Sequence, residues 1–192
     1  MLLVMPLKNL SNILKTYGTK EKNMRPQGIV VHQSDSRFGS AKLIDIWHEQ
    51  NGWGRKQIKI NEVHPLKAIG YHAVNLNGYV HNSMEYNKHY DGVIELGRRE
   101  DETGAHCRGR NEYLGHCLIG KGNIFSVAQY HSLLTWCAAK ILKYGFRVSD
   151  VVGHYETPSG QRSGKTCPGL DMNIVRSALN SIVPTVKLYG VY

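Results

Sequence analysis

The chain has 192 residues, enough for one domain with a well-buried core and without any need for disulfide bridges. Lysine and arginine total 24 against 15 acidic residues, and the resulting net charge of +9 is typical of a protein that meets an acidic partner, but also of a plain solvated surface. Hydrophobic residues make up 41%, which excludes wholesale disorder, and the sequence contains no apolar run of the roughly 18 residues that a membrane span requires.

Residues 1–27 are predicted to form a basic N-terminal arm ahead of a single domain over 28–192. The apolar start, 1–7, has no basic residue before it and is broken by Pro6, so no secretory signal is predicted and we expect the protein to reside in the cytoplasm. We also expect it to be a monomer. No recognised nucleic-acid-binding motif occurs, which argues against direct binding of nucleic acid.

The predicted elements alternate between strands and helices. Short apolar runs predict strands at 29–31, 71–76, 93–96, 115–120 and 151–153. Capping residues and apolar periodicity predict helices from Ser40 to Asn51, from Ser126 to Gly145, and from Asp171 through Ile182. The pairs Asn77-Gly78 and Asp91-Gly92 predict turns. This order indicates an α/β fold with a mostly buried sheet, in which Cys117 and Cys137 are core thiols.

Three possible metal ligands lie at the ends of predicted elements. His32 follows the first strand, His154 follows the last strand, and Cys167 lies in a Lys-Thr-Cys-Pro-Gly segment. Two imidazoles and one thiolate suit Zn²⁺ and leave a fourth position for water, as in catalytic zinc sites. Lys165 stands two residues before Cys167, and an extended segment would place both side chains on one face, where the ammonium could stabilise an oxyanion.

Several short segments occur in an order that resembles a known family. They are 29–32 with Ser34, 70–72, 91–98, 104–106, 114–120, 153–156 and 165–171. Together they resemble the type 2 N-acetylmuramoyl-L-alanine amidases, zinc amidases that include peptidoglycan recognition proteins and phage endolysins. The likeness is greatest to single-domain phage endolysins, and it covers about 28–183 of this chain.

The resemblance implies a central mixed β-sheet flanked by helices and a zinc amidase domain over 28–192. It implies that His32, His154 and Cys167 bind one zinc ion, and that Tyr71 and Lys165 flank the scissile carbonyl. The reaction would then be hydrolysis of the amide bond between N-acetylmuramic acid and L-alanine in peptidoglycan, in the service of host lysis.

Further residues match positions that line the family's cleft. His72 and His106 are expected to contact substrate or support the site, and Glu156 is expected to contact substrate or transfer a proton. Three segments are longer than in compact members of the family, namely 53–66, 77–90 and 155–164. They are predicted to form loops at the rim of the cleft.

Three other functions remain open from the sequence. The first is a peptidoglycan-binding module without activity, although such relatives lack the cysteine that is present here as Cys167. The second is a cysteine hydrolase using Cys167 and His154, which is disfavoured because Pro168 has no N–H for an oxyanion hole. The third is an amidase that also binds and inhibits a phage RNA polymerase, or contacts an anionic envelope, through the basic arm.

Overall fold

The computed structural model describes residues 24–53 and 66–189. Within these ranges the strands are β1 (Ile29–Gln33), β2 (Ala73–Asn77), β3 (Asp91–Leu96), β4 (Leu114–Leu118) and β5 (Val151–Gly153). The α-helices are α1 (Ala41–Gln50), α2 (Val127–Tyr144), α3 (Pro158–Arg162) and α4 (Met172–Tyr189), with short 3-10 helices at Val148–Asp150 and His154–Glu156. Residues 1–23 of the predicted arm and 54–65 of the predicted rim loop lie outside the described residues.

The strands form one mixed sheet in the order β3-β2-β4-β1-β5. β1 runs parallel to β4 and β5, and β2 runs parallel to β4 but antiparallel to the edge strand β3. The predicted α/β fold with a central mixed sheet is therefore confirmed. Because the parallel strands share one direction, the ends of β1 and β5 lie at the same edge of the sheet.

The two faces of the sheet are covered by different helices. Ile29 and Val31 of β1 face a large apolar core shared with α2 and α4. Cys117 of β4 faces a second core under α1, and the buried Cys117 and Cys137 confirm the two predicted core thiols. Side chains alternate along a strand, so His32 lies on the α1 face, beside its register partner Cys117.

Helix α2 has the predicted capping box and stop. The N–H of Gln129 donates to the Ser126 hydroxyl at 3.0 Å, and the Gln129 side chain accepts the N–H of Ser126 at 3.2 Å. Gly145 ends the helix with φ 73°, a left-handed conformation that glycine adopts without strain. The N-cap of α1 is likewise the predicted Ser40, and each such cap contributes about 1 kcal/mol.

The turn predicted at Asp91-Gly92 is present, because the N–H of Val93 donates to the carbonyl of Tyr90 at 3.1 Å across these two residues. Both residues lie inside β3, where the register shifts between Asn75 and Asn77 and the strand carries a bulge. Gly92 has φ 76°, and a Cβ there would lie 2.8 Å from the backbone of Ala128 in α2. The dipeptide thus forms a turn at the start of β3, next to a bulge that packs against α2, and glycine suits both because of its positive φ.

Other elements differ in extent from the prediction. The strand predicted from Tyr71 begins at Ala73, so Tyr71 precedes the sheet. The segment 155–164 is not an open loop, because it forms the end of a 3-10 helix and then α3. No helix among the described residues is long and apolar enough to cross a bilayer.

Candidate metal centre and active site

Two of the predicted ligands are brought together by the pairing of parallel strands. Val31 of β1 is in register with Gly153 of β5, so the next residues, His32 and His154, stand side by side. Neighbouring strands are about 4.8 Å apart, and the two imidazole centroids are separated by 4.7 Å. His32 is 1% exposed, whereas His154 is partly accessible.

The third predicted ligand comes from the segment after α3. The backbone N–H of Tyr155 donates to the carbonyl of Cys167 at 2.8 Å, which ties this segment to the 3-10 helix that begins at His154. The N–H of Gln33 donates to Cys167 Sγ at 3.2 Å, and this sulfur lies 3.9 Å from Nδ1 of His32. One ligand atom from each of His32, His154 and Cys167 lies within 4.8 Å of the others.

These three side chains fit zinc in chemistry and spacing. Tetrahedral bonds of about 2.0–2.1 Å to nitrogen and about 2.3 Å to sulfur place the two ligand atoms about 3.6 Å apart. The 3.9 Å between His32 Nδ1 and Cys167 Sγ therefore needs a closure of only a few tenths of an ångström. Three protein ligands also leave the fourth position that catalytic zinc sites keep open.

The protonation states of the cluster favour a bound cation. Burial, together with the neighbouring histidines, holds the pKa of His32 well below its usual range, and burial followed by the charge of Lys165 lowers the pKa of His154. Both rings are thus neutral and carry a free lone pair. Burial raises the pKa of Cys167 to about 11 even though Gln33 and Lys165 act in the opposite direction. A divalent ion is the charge that would stabilise the thiolate at neutral pH.

Tyr71 is anchored beside this cluster by two polar side chains of α1. Asp45 Oδ1 accepts two backbone N–H groups of the segment 68–70, at 2.6 and 2.9 Å. His48 Nδ1 accepts a third N–H of that segment at 3.0 Å. Both side chains are buried, so they fix the chain just before Tyr71 and place its ring 5.1 Å from that of His32.

The hydroxyl of Tyr71 lies near Cys117, a buried residue of β4. Burial raises its pKa well above the usual value, and the charges of Cys117 and Cys167 and a hydrogen bond with Cys117 add to the rise. Tyr71 is therefore a neutral hydroxyl at physiological pH, suited to donate a hydrogen bond rather than to act as a base.

Lys165 lies at the open side of the cluster. Its side chain is exposed, and its charge acts on both His154 and Cys167. An ammonium in this position suits the stabilisation of negative charge next to the ligands.

The remaining predicted site residues have different surroundings. His72 is 1% exposed and has backbone partners at both ring nitrogens: the N–H of Gly115 donates to Nδ1, and Nε2 lies 2.9 Å from the carbonyl of Glu102. The carboxylate of Glu156 accepts a hydrogen bond from each of the two terminal nitrogens of Arg176, at 2.9 Å. The substrate contacts of His72 and Glu156 stay predictions, whereas the observed contacts of both are structural.

His106 is in direct contact with His32, one of the predicted ligands. Its Nδ1 lies 3.0 Å from Nε2 of His32, and its own Nε2 lies 3.0 Å from the carbonyl oxygen of Tyr113. The structure thus places His106 against a predicted ligand, and its role in the site stays a prediction.

Comparison with known proteins decides the family. The sequence model of the N-acetylmuramoyl-L-alanine amidase family matches residues 22–170. The chain belongs to this family. An endolysin of Klebsiella phage KP32 is 25% identical over 162 residues, which cover 79% of this chain and 85% of that protein.

Solved structures share the fold of this amidase. The N-acetylmuramoyl-L-alanine amidase LysC from Clostridium intestinale URNW superposes with a TM-score of 0.61 at 24% identity, covering 82% of this chain and 87% of the other. Drosophila PGRP-LB gives a TM-score of 0.53 at 16% identity, covering 77% and 78% of the two chains. The predicted amidase and peptidoglycan recognition protein fold is therefore confirmed.

Sequence reasoning missed the supports of this amidase's site. Asp45 and His48 stand three residues apart on the apolar face of α1, and polar residues on a buried helix face were the available signal. Arg176 gave no such signal, because an arginine on a helix is ordinary and its partner Glu156 lies 20 residues away in sequence.

Proposed function

We propose that this amidase is zinc-dependent and cleaves the amide bond between N-acetylmuramic acid and L-alanine in peptidoglycan. The observation that carries the proposal is the cluster of His32, His154 and Cys167, whose ligand atoms lie within 4.8 Å of one another. Membership of the family supports the choice of the bond that is cleaved, and the two histidines and one cysteine support the choice of zinc as the metal.

Two side chains beside the cluster, Lys165 and Tyr71, are proposed to act on the substrate. When bound, zinc supplies a Lewis acid that polarises a carbonyl and lowers the pKa of water. Lys165 stabilises the negative charge that develops on the carbonyl oxygen, and the neutral hydroxyl of Tyr71 donates a hydrogen bond to the same group. Tyr71 is also the proposed participant in proton delivery to the leaving amine.

The site favours an amidase over a cysteine hydrolase. A nucleophilic cysteine needs a lowered pKa and a nearby base, whereas burial raises the pKa of Cys167 to about 11. Pro168 follows it and offers no N–H to an oxyanion. The complete ligand set also argues against a module that binds peptidoglycan without cutting it.

Metal analysis and cell-wall digestion test the proposal together. Purified wild type should hold one zinc per chain and release muropeptide stems from peptidoglycan, EDTA should abolish the release, and Zn²⁺ should restore it. His32→Ala should lose both zinc and activity, whereas His131→Ala, on the exposed side of α2, should keep both. Full activity in EDTA, or intact zinc in His32→Ala, would contradict the proposal.

The biological setting is proposed on the same footing. The endolysin of phage KP32 supports a role in host lysis, with the amidase held in the cytoplasm as a monomer until it reaches the wall. The net charge of +9 suits an anionic envelope. Binding of an RNA polymerase through the arm at 1–27 stays a prediction, and deleting the arm before a pull-down tests it.

A further inference from the structure

We infer that His106 is a positioning residue that sets the tautomer of His32 and thereby aims the Nδ1 lone pair of His32 at the metal position. The inference rests on the proposed zinc site, which it deepens by assigning a role to a partly buried side chain that contacts a proposed ligand. It follows from a chain of three polar groups: the carbonyl of Tyr113, the ring of His106 and the ring of His32.

This series of hydrogen bonds begins at the carbonyl of Tyr113, which can accept a hydrogen bond but cannot donate one. The carbonyl oxygen of Tyr113 lies 3.0 Å from Nε2 of His106, so this nitrogen carries the hydrogen. A neutral imidazole has one donor and one acceptor, which leaves Nδ1 of His106 as the acceptor.

The same rule then fixes the next ring. Nδ1 of His106 lies 3.0 Å from Nε2 of His32, so His32 donates from Nε2. Its lone pair is consequently on Nδ1, the atom that lies 3.9 Å from Cys167 Sγ. The opposite tautomer of His32 would place a hydrogen at the metal position and a lone pair against His106.

The ring of His106 is held in a narrow slot. A Cβ on Gly104 would lie 2.5 Å from Cδ2 of His106, and a Cβ on Gly115 would lie 2.6 Å from the same atom. Asn111 Oδ1 accepts the backbone N–H of His106 at 3.1 Å. Both glycines are thus needed for close approach of the backbone, and the slot keeps the ring facing His32.

The position of His106 distinguishes it from His116. His116 is fully buried and is in register with Val31, so it points to the opposite face of the sheet and packs on Trp136. His116 therefore offers a matched control for the loss of a buried imidazole. Hydrogen-bond partners behind a metal-bound histidine typically contribute 10- to 100-fold in metal affinity.

Nitrogen-15 NMR of the metal-free wild-type protein tests the tautomers directly and needs no variant. Two-bond correlations within each ring should show both His32 and His106 with the hydrogen on Nε2. A His32 ring with its hydrogen on Nδ1 would overturn the inference. This readout does not depend on activity.

Zinc affinity, measured by competition with a chelator, tests the consequence. His106→Phe, which keeps a flat ring in the slot but cannot accept, should bind zinc about 10- to 100-fold more weakly. His106→Gln, whose amide offers one acceptor and one donor, should recover most of that loss, and His116→Phe should bind like wild type. Unchanged affinity in His106→Phe would overturn the inference, whereas failure of the wild type to bind zinc would overturn the proposed function instead.

Discussion

Replacing Glu156 with glutamine is expected to loosen the attachment of β5 to α4. Arg176 donates two hydrogen bonds to Glu156, each at 2.9 Å, and the N–H of Gly153 donates a third at 2.8 Å. A partly exposed bidentate pair contributes about 1 kcal/mol, and the weakened hydrogen bond from a backbone N–H adds about 1 kcal/mol. A chain of this size shifts by about 2–4 °C per kcal/mol, so Tm should fall by about 4–8 °C.

Thermal unfolding and the pH dependence of kcat separate this role from proton transfer. Because His154 follows Gly153 directly, Glu156→Gln should also weaken zinc binding by a few fold, while zinc-loaded enzyme keeps the shape of its pH profile. Glu49→Gln, at an exposed position of α1, is the control and should change stability by less than about 0.5 kcal/mol. An unchanged Tm together with the loss of one limb of the pH profile would refute this reasoning and assign Glu156 to proton transfer.

Three further predictions concern separate parts of the molecule. Lys165→Met should lower kcat by about 10²–10³-fold with zinc content unchanged, whereas the exposed Lys187→Met should leave kcat intact; equal effects of the two variants on peptidoglycan release would contradict this. Burial raises the pKa of Glu100, but hydrogen bonds from two lysines and a tyrosine outweigh it and lower the pKa to about 2. The pKa of Glu100 is lower in the folded state than in the unfolded state, so its ion pairs stabilise the fold by about 1–2 kcal/mol above about pH 4.3, and this stabilisation is lost toward pH 2. The difference in Tm between wild type and Glu100→Gln should therefore vanish over that pH range. A difference that stays constant would contradict the prediction. Gly92→Ala should destabilise by about 1–3 kcal/mol in urea unfolding, because φ is 76° and Ala128 lies against it; wild-type stability would show that the bulge tolerates a side chain.

Features encoded in consecutive residues could be predicted from the sequence. The capping box at Ser126 and the glycine stop at Gly145 depend on local backbone chemistry, and both are confirmed. The placement of His32 and His154 together was also within reach, because each follows a short apolar run and parallel strands end at a common edge. Motif order and family resemblance then identified the amidase.

Features that depend on distant partners could not be predicted. The pair Asp91-Gly92 forms the predicted turn, but the bulge beside it and its packing against α2 depend on residues far away in sequence. His106 and Glu156 have the residue types of cleft groups, yet their partners lie 74 and 20 positions away. Their roles depend on which atoms they contact in the fold, and these contacts cannot be read from the spacing of residues in the sequence.

X-ray absorption spectroscopy of zinc-loaded enzyme tests the central claim most directly, because it counts the atoms around the metal. The account predicts one sulfur at about 2.3 Å and two imidazole nitrogens at about 2.0–2.1 Å, with a light atom completing four-coordination. The sulfur contribution should disappear in Cys167→Ser. A zinc site without sulfur, or a sulfur signal that persists in Cys167→Ser, would contradict the assignment of His32, His154 and Cys167 as the ligands.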